Sequence, residues 1–204
     1  MSENKKKLSI TFRMLRKLGF NYSEEAYGQV SIWGVVKRVL KTYKDTFLIK
    51  FVFNSFLLSP FLPRRVRPWV MKSIGCHVGK GCFVGDNVHI DTGHADLITL
   101  EDSVSIAGGS RLLCHQRNFS DYYVGSDYMK LGYVLKPIVL KKGCLVGMES
   151  FIMPGVTIGE GAIVGAGSLV TKDVPAWTIA TGRPAKVVKQ IPNRPKQSNE
   201  YTYV

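Results

Sequence analysis

A chain of 204 residues with 28 Lys and Arg against 15 Asp and Glu has room for one sizeable domain and an accessory segment, which excludes a long multidomain machine. At 45% hydrophobic and 21% charged residues it can bury a core and is not disordered as a whole. The charge is uneven: residues 1–72 hold 15 basic and 4 acidic side chains, net +11, whereas 73–204 hold 13 and 11, net +2.

The first residues are basic but never reach an uninterrupted apolar core with a small-residue cleavage site, so the expectation is a cytoplasmic protein. Residues 25–58 place Ile32, Val35, Val36, Val39, Leu40, Tyr43 and Phe47 at helical intervals, with Lys37, Arg38, Lys41 and Lys44 between them. The most apolar window, Phe47 to Leu62, is broken by Lys50, Asn54 and Pro60 and falls short of the roughly 20 apolar residues of a spanning helix. It can lie on a membrane without crossing it. The run SPFLPRRVRPW at 59–69 ends any helix and reads as a connector, and Trp33 and Trp69 read as packing residues.

Residues 1–72 are therefore a basic, amphipathic helical N-terminal region, with two expectations attached. Either its charge draws it to an anionic membrane surface, placing the protein peripherally at the inner membrane face, or its helices pack on the following domain with the lysines in solvent. Nucleic acid is not expected as a partner, because no reading module accompanies Lys5-Lys6-Lys7 or Arg64-Arg65.

From Val78 the chain advances in steps of six: Val78-Gly79, Val84-Gly85, Ile90-Asp91, then after a shift Leu100, Ile106 and Leu112. The step resumes at Val134 and runs unbroken from Leu140 through Val146-Gly147, Ile152, Ile158-Gly159 and Val164-Gly165 to Val170. A small or aliphatic residue follows each first position four places later, as at Cys82, Ser110, Cys144, Ser150, Ala162 and Ser168. Neither a helix nor a hairpin meander has this period. It predicts a mainly β fold, a parallel β-helix in which each hexad is one short strand and a corner, with second-position glycines supplying the corner dihedrals. The domain spans 73–191 and leaves a C-terminal tail at 192–204.

An excursion at 118–133 interrupts the hexads without a strand pattern of its own. His115 stands just before it, and an imidazole titrating near 6.5 can take a proton from an attacking hydroxyl or amine. The four cysteines, Cys76, Cys82, Cys114 and Cys144, read as reduced, packed thiols, and no metal is expected.

Val146-Gly147, Met153-Pro154-Gly155-Val156-Thr157-Ile158-Gly159, Val164-Gly165-Ala166-Gly167-Ser168, Val170-Thr171-Lys172-Asp173-Val174-Pro175 and Ala180-Thr181-Gly182-Arg183-Pro184-Ala185 together resemble the closing coils of the hexapeptide-repeat acyltransferases. These left-handed parallel β-helix enzymes include galactoside, maltose, nodulation-factor and colanic-acid O-acetyltransferases. The resemblance implies a homotrimer that uses acetyl-CoA as co-substrate to acylate a hydroxyl or amine of a carbohydrate acceptor, and the expectation adopted is O-acetylation in surface polysaccharide or glycolipid biosynthesis. It implies His115 as the catalytic base, and Ala166, Thr171, Lys172, Lys186 and Lys189 as coenzyme A contacts. Asp91, Asp121 and Glu149 are the candidates to bind the acceptor or orient the histidine, Asp91 from an adjacent chain. His77, His89 and His94 fall on the first coils, away from the coenzyme groove, and give no three-histidine metal set. Gln116 and Met148 depart from the family pattern. Two other readings stay open: N-acylation of a nucleotide-linked amino sugar, and a non-catalytic trimeric scaffold.

Overall fold

The computed structural model describes residues 8–19, 27–55 and 63–193. The clusters at 5–7, the connector's first residues and the tail from 194 lie outside them. The chain divides into two compact units, Met1–Phe47 and Leu48–Val204.

In the first unit, α1 (Ile10–Lys17) starts at Ser9, whose hydroxyl accepts from the Phe12 N–H at 3.1 Å. The helix α2 (Ile32–Phe47) carries the sequence's amphipathic stripe. Asp45 on α2 is buried and pairs with Lys41 at 2.7 Å and Lys44 at 3.2 Å.

The second unit opens with a π-helical turn, Leu48–Phe53, and α3 (Val66–Ile74). The expected connector thus overlaps a helix. Pro68 sits in its first turn, where a missing N–H costs nothing because no carbonyl of the helix precedes it. Val70, Met71 and Ile74 join Phe53 in covering the end of the β core. Arg67 is buried there, donating from Nε to Phe53 O and from Nη1 to Val84 O, both at 3.1 Å, and pairing with Asp86. The described residues of 48–72, grouped by sequence with the basic N-terminal region, therefore fall in the β-helix unit.

The β-helix has three parallel sheets. The first stacks β1 (His77–Val78), β4 (Ile98–Leu100), β9 (Ile138–Leu140) and β12 (Thr157–Ile158). The second stacks β2 (Phe83–Val84), β5 (Ser105–Ile106), β10 (Leu145–Val146), β13 (Ile163–Val164) and β15 (Thr178–Gly182), closed by the antiparallel β16 (Ala185–Gln190). The third stacks β3 (His89–Ile90), β6 (Arg111–Leu112), β11 (Phe151–Ile152) and β14 (Leu169–Val170). First-position side chains form vertical columns, such as Val84, Ile106, Val146 and Val164, all fully buried. Burying such columns is the main stabilising term, roughly 25 cal/mol per Å² of apolar surface.

The glycines act differently from the sequence expectation. Left-handed backbone falls on the fourth hexad position, at Gly167 (φ 68°) as at Asn87, Ser103 and Glu149. Second-position glycines are needed for closeness: a Cβ on Gly147 would stand 2.5 Å from the amide nitrogen of Ala166 in the next coil. The four cysteines are buried and free, as expected.

Candidate active site

At the end of β6 the chain leaves the coil. Cys114 stays fully buried, so the next side chain, His115, emerges half-exposed at the corner and opens β7 (His115–Arg117). This strand pairs antiparallel with β8 (Tyr133–Leu135), joining His115 to Leu135 and Arg117 to Tyr133. The excursion therefore has a two-stranded stalk that its sequence did not announce. Three residues each, without alternation, give no period to read.

Asp91 follows β3, which pairs with β6 through Ile90 and Leu112, so it lies one coil from His115 on the same corner. Its side chain is 7% exposed against 40% for the histidine. One carboxylate oxygen accepts from the Cys114 N–H at 3.1 Å and meets His115 Nδ1 at 2.5 Å. An ionised carboxylate only accepts, so Nδ1 carries the proton and the lone pair of the neutral ring is on Nε2. The expectation of an Asp91 reaching across from an adjacent chain is thus corrected: the pair forms within one chain.

Two more rings hold the imidazole. A 3₁₀ turn, Thr92–Leu97, inserted after Asp91, brings the His94 ring to 5.6 Å, and Tyr133 meets His115 edge-on at 5.5 Å. Arg117 stacks over Tyr133 at 4.2 Å and donates to Leu131 O at 2.6 Å, fixing the stalk. Sequence placed His94 with the remote first coils; the inserted turn returns it to the site. The shift in hexad spacing between Ile90 and Leu100 was the available signal. Asp91, His94 and His115 bring one oxygen and two nitrogens within 4.8 Å of each other, a donor set of the kind that suits a first-row divalent cation. The carboxylate–imidazole hydrogen bond satisfies Asp91 and His115 without one.

Among the described residues Asp121 and Glu149 make no hydrogen bond or ion pair to His115; Asp121 is exposed on the excursion and Glu149 at a corner. Cys114, beside the histidine, is not a nucleophile: burial, with help from the Asp91 charge, pushes its thiol up to about 12.

The remaining sequence candidates divide between two corners of the prism. Thr171 and Lys172 follow β14, whose stack through β11 and β6 to β3 puts them on the corner of Asp91 and His115. Three strand spacings separate Thr171 from Asp91, about 14 Å. Ala166 lies exposed on the preceding corner, where Thr181 packs beside Gly165 and pairs with Lys186. Lys189 is further along the same hairpin, opposite Ile179.

Residues 137–172 match the family model described as bacterial transferase hexapeptide (six repeats). A protein of Schizosaccharomyces pombe with a provisional acetyltransferase name is 36% identical over 57% of this chain and 54% of its own. The galactoside O-acetyltransferase of Escherichia coli is 33% identical over 64% of this chain and 63% of its own. The chain spans about half the length of the first of these relatives. Among solved structures, a maltose O-acetyltransferase from Clostridium difficile superposes with a TM-score of 0.58 at 21% identity, covering 80% of this chain and 90% of that one. A hexapeptide-repeat acetyltransferase from Vibrio cholerae, solved with acetyl coenzyme A, covers 95% of this chain at a TM-score of 0.55 and 19% identity. These structures share the fold, the left-handed β-helix of the sequence expectation.

Proposed function

On the premise that residues 73–191 form a hexapeptide-repeat transferase β-helix, we propose that the protein transfers an acetyl group from acetyl-CoA to a carbohydrate hydroxyl, with His115 as the base. The observation that carries this reading is the 2.5 Å contact of Asp91 with His115 Nδ1 at the foot of the excursion. Bound acetyl-CoA would supply the thioester to be attacked. Asp91 holds the proton on Nδ1 and leaves Nε2 to take the acceptor's proton as its oxygen attacks; the same nitrogen returns that proton to the departing thiolate.

Because Ala166 and Lys186 stand one corner away from Thr171, Lys172 and His115, a single chain does not gather them. Three copies arranged as neighbouring prisms would set one chain's first corner against the next chain's second, leaving a groove for the coenzyme's arm with lysines at its phosphates. This geometry supports a homotrimer. The acceptor fits surface polysaccharide or glycolipid synthesis, with the basic N-terminal region holding the enzyme at an anionic membrane face.

The test is thiol release from acetyl-CoA across a panel of oligosaccharide and amino-sugar acceptors. We expect turnover with a hydroxyl acceptor and near-complete loss in His115→Ala. An unchanged rate in that variant, or no coenzyme A binding by calorimetry, would remove the reading. Mild loss would point to an amine acceptor, which depends less on a base.

A further inference from the structure

The first unit has a surface that acyl transfer does not use. On α2, Trp33, Val36, Leu40, Tyr43 and Phe47 are 37% to 72% exposed, and Ile32 and Val39 extend the same face. At 3.6 residues per turn these side chains fall within one arc of about 120°. Lys37 and Lys44 border one edge of the arc. Past the other edge, Val35, Thr42 and Thr46 turn to a groove of about 680 Å³ that Leu15 of α1 also lines. Val39 and Tyr43 form the rim that the stripe shares with this groove, while Trp33, Val36, Leu40 and Phe47 lie outside its lining. The expectation that Trp33 packs is overturned, since it is 69% exposed. α1 repeats the arrangement in small, exposing Ile10, Met14 and Leu18 among Arg13, Arg16 and Lys17.

We propose that this stripe is an interfacial membrane anchor for anionic lipid, with α2 lying in the plane of the leaflet. Trp33, Val36, Leu40 and Phe47 enter the acyl boundary while Lys37 extends to the headgroups and Lys44, held by Asp45, adds its charge at the same edge. Charge complementarity selects this occupant. Among the described residues of the unit Asp45 is the only acid, and it is buried between Lys41 and Lys44, so no described acid opposes an anionic surface, and over residues 1–47 the sequence carries 10 Lys and Arg against 4 Asp and Glu. Sixteen residues make a helix of about 24 Å, shorter than the roughly 30 Å hydrocarbon layer, which suits a helix lying in the interface and not one crossing it. The inference deepens the membrane location in the reading above by assigning it to residues 1–47. Arg67, counted in the same basic third, is buried in the cap of the β-helix and takes no part.

The test uses the full chain and vesicles of phosphatidylcholine with or without phosphatidylglycerol, in a Trp69→Phe, Trp177→Phe background so that emission reports Trp33. We expect co-sedimentation with the anionic vesicles at low salt, release at high salt and a blue shift of Trp33. Val36→Glu with Leu40→Glu should lower the bound fraction at least about tenfold, and Lys37→Glu should weaken it less. Melting temperature and thiol release toward a soluble acceptor should stay as in the parent, which separates this result from any failure of the acyl-transfer reading. Absence of binding, equal binding to pure phosphatidylcholine, or undiminished binding by the double variant would overturn the proposal. So would a change of oligomeric state in the double variant by sedimentation velocity without any vesicle binding, which would show the stripe covered by a second copy.

Discussion

The coils between Leu140 and Val174 and the loop of chain between Asp91 and Leu135 use the same hexad, with opposite results. In the closing coils every first position is buried over its equivalent and every inward hydroxyl is bonded, so the interior is regular and saturated. In the other region the inserted 3₁₀ turn and the excursion each break the register at one corner. The broken corner is where a carboxylate, two imidazoles and a tyrosine meet. Regularity makes the scaffold, and its interruptions gather the titratable groups.

If that division is right, one substitution in each region should separate activity from stability. His115→Ala is expected to lower turnover by about 10²–10⁴-fold while the melting temperature holds, because the side chain is half-exposed and fills no core space. Ile152→Ala, fully buried in the third sheet, should cost about 2–5 kcal/mol in denaturant unfolding and leave the turnover of the folded fraction unchanged. Activity lost in step with stability in both variants would erase the distinction.

The comparison sharpens at Asp91. Asp91→Asn keeps the shape but removes the charge that fixes the Nδ1 proton and stabilises the protonated ring, so kcat should fall on the order of a hundredfold. KM should stay within error of the parent, since the carboxylate is buried behind the histidine. A loss confined to KM would make Asp91 an acceptor-binding residue instead.

What could be read in the sequence follows the same line. The β-helix was legible because aliphatic first positions recur at Val146, Ile152, Ile158 and Val164, and a six-residue period has few physical realisations. The α3 cap was not, since its short helix, with Val70, Met71 and Ile74 buried, begins inside a proline-rich run that reads as a connector. His115 was singled out by its place before the excursion and by resemblance, and the structure puts it at the broken corner. Its partnership with Asp91 depends on which strands stack, and nothing local to either residue states that. His94 was misplaced because counting hexads hides what an inserted turn does in space. Trp33 was misread because an apolar stripe has one appearance in sequence, whether it packs or docks.

Within the regular coils the two glycine positions should differ in cost. Gly147→Ala drives a Cβ against neighbouring backbone that cannot move independently, and we expect about 1–3 kcal/mol of destabilisation. Gly167→Ala meets open space and has only its left-handed φ of 68° against it, about 1 kcal/mol. Equal melting temperatures for the two would return the second-position glycines to a conformational role.

The smallest effect is the contrast between two buried serines at one hexad position. Ser150 Oγ and Ser168 Oγ both donate to Gly165 O, at 3.1 and 2.6 Å, so Ser150→Ala leaves that carbonyl bonded. It should cost about 0.5–1 kcal/mol, the net worth of one ordinary hydrogen bond. Ser110 Oγ donates to Gly147 O at 3.0 Å, and among the described residues no second hydroxyl shares that carbonyl. Ser110→Ala should therefore cost more, toward the 1–3 kcal/mol typical of an unsatisfied group, by about the value of the missing partner. Urea unfolding of both variants reads the difference directly. A Ser150→Ala cost equal to or above that of Ser110→Ala would mean that the shared carbonyl gives the closing coils no redundancy over the coil that bears the site.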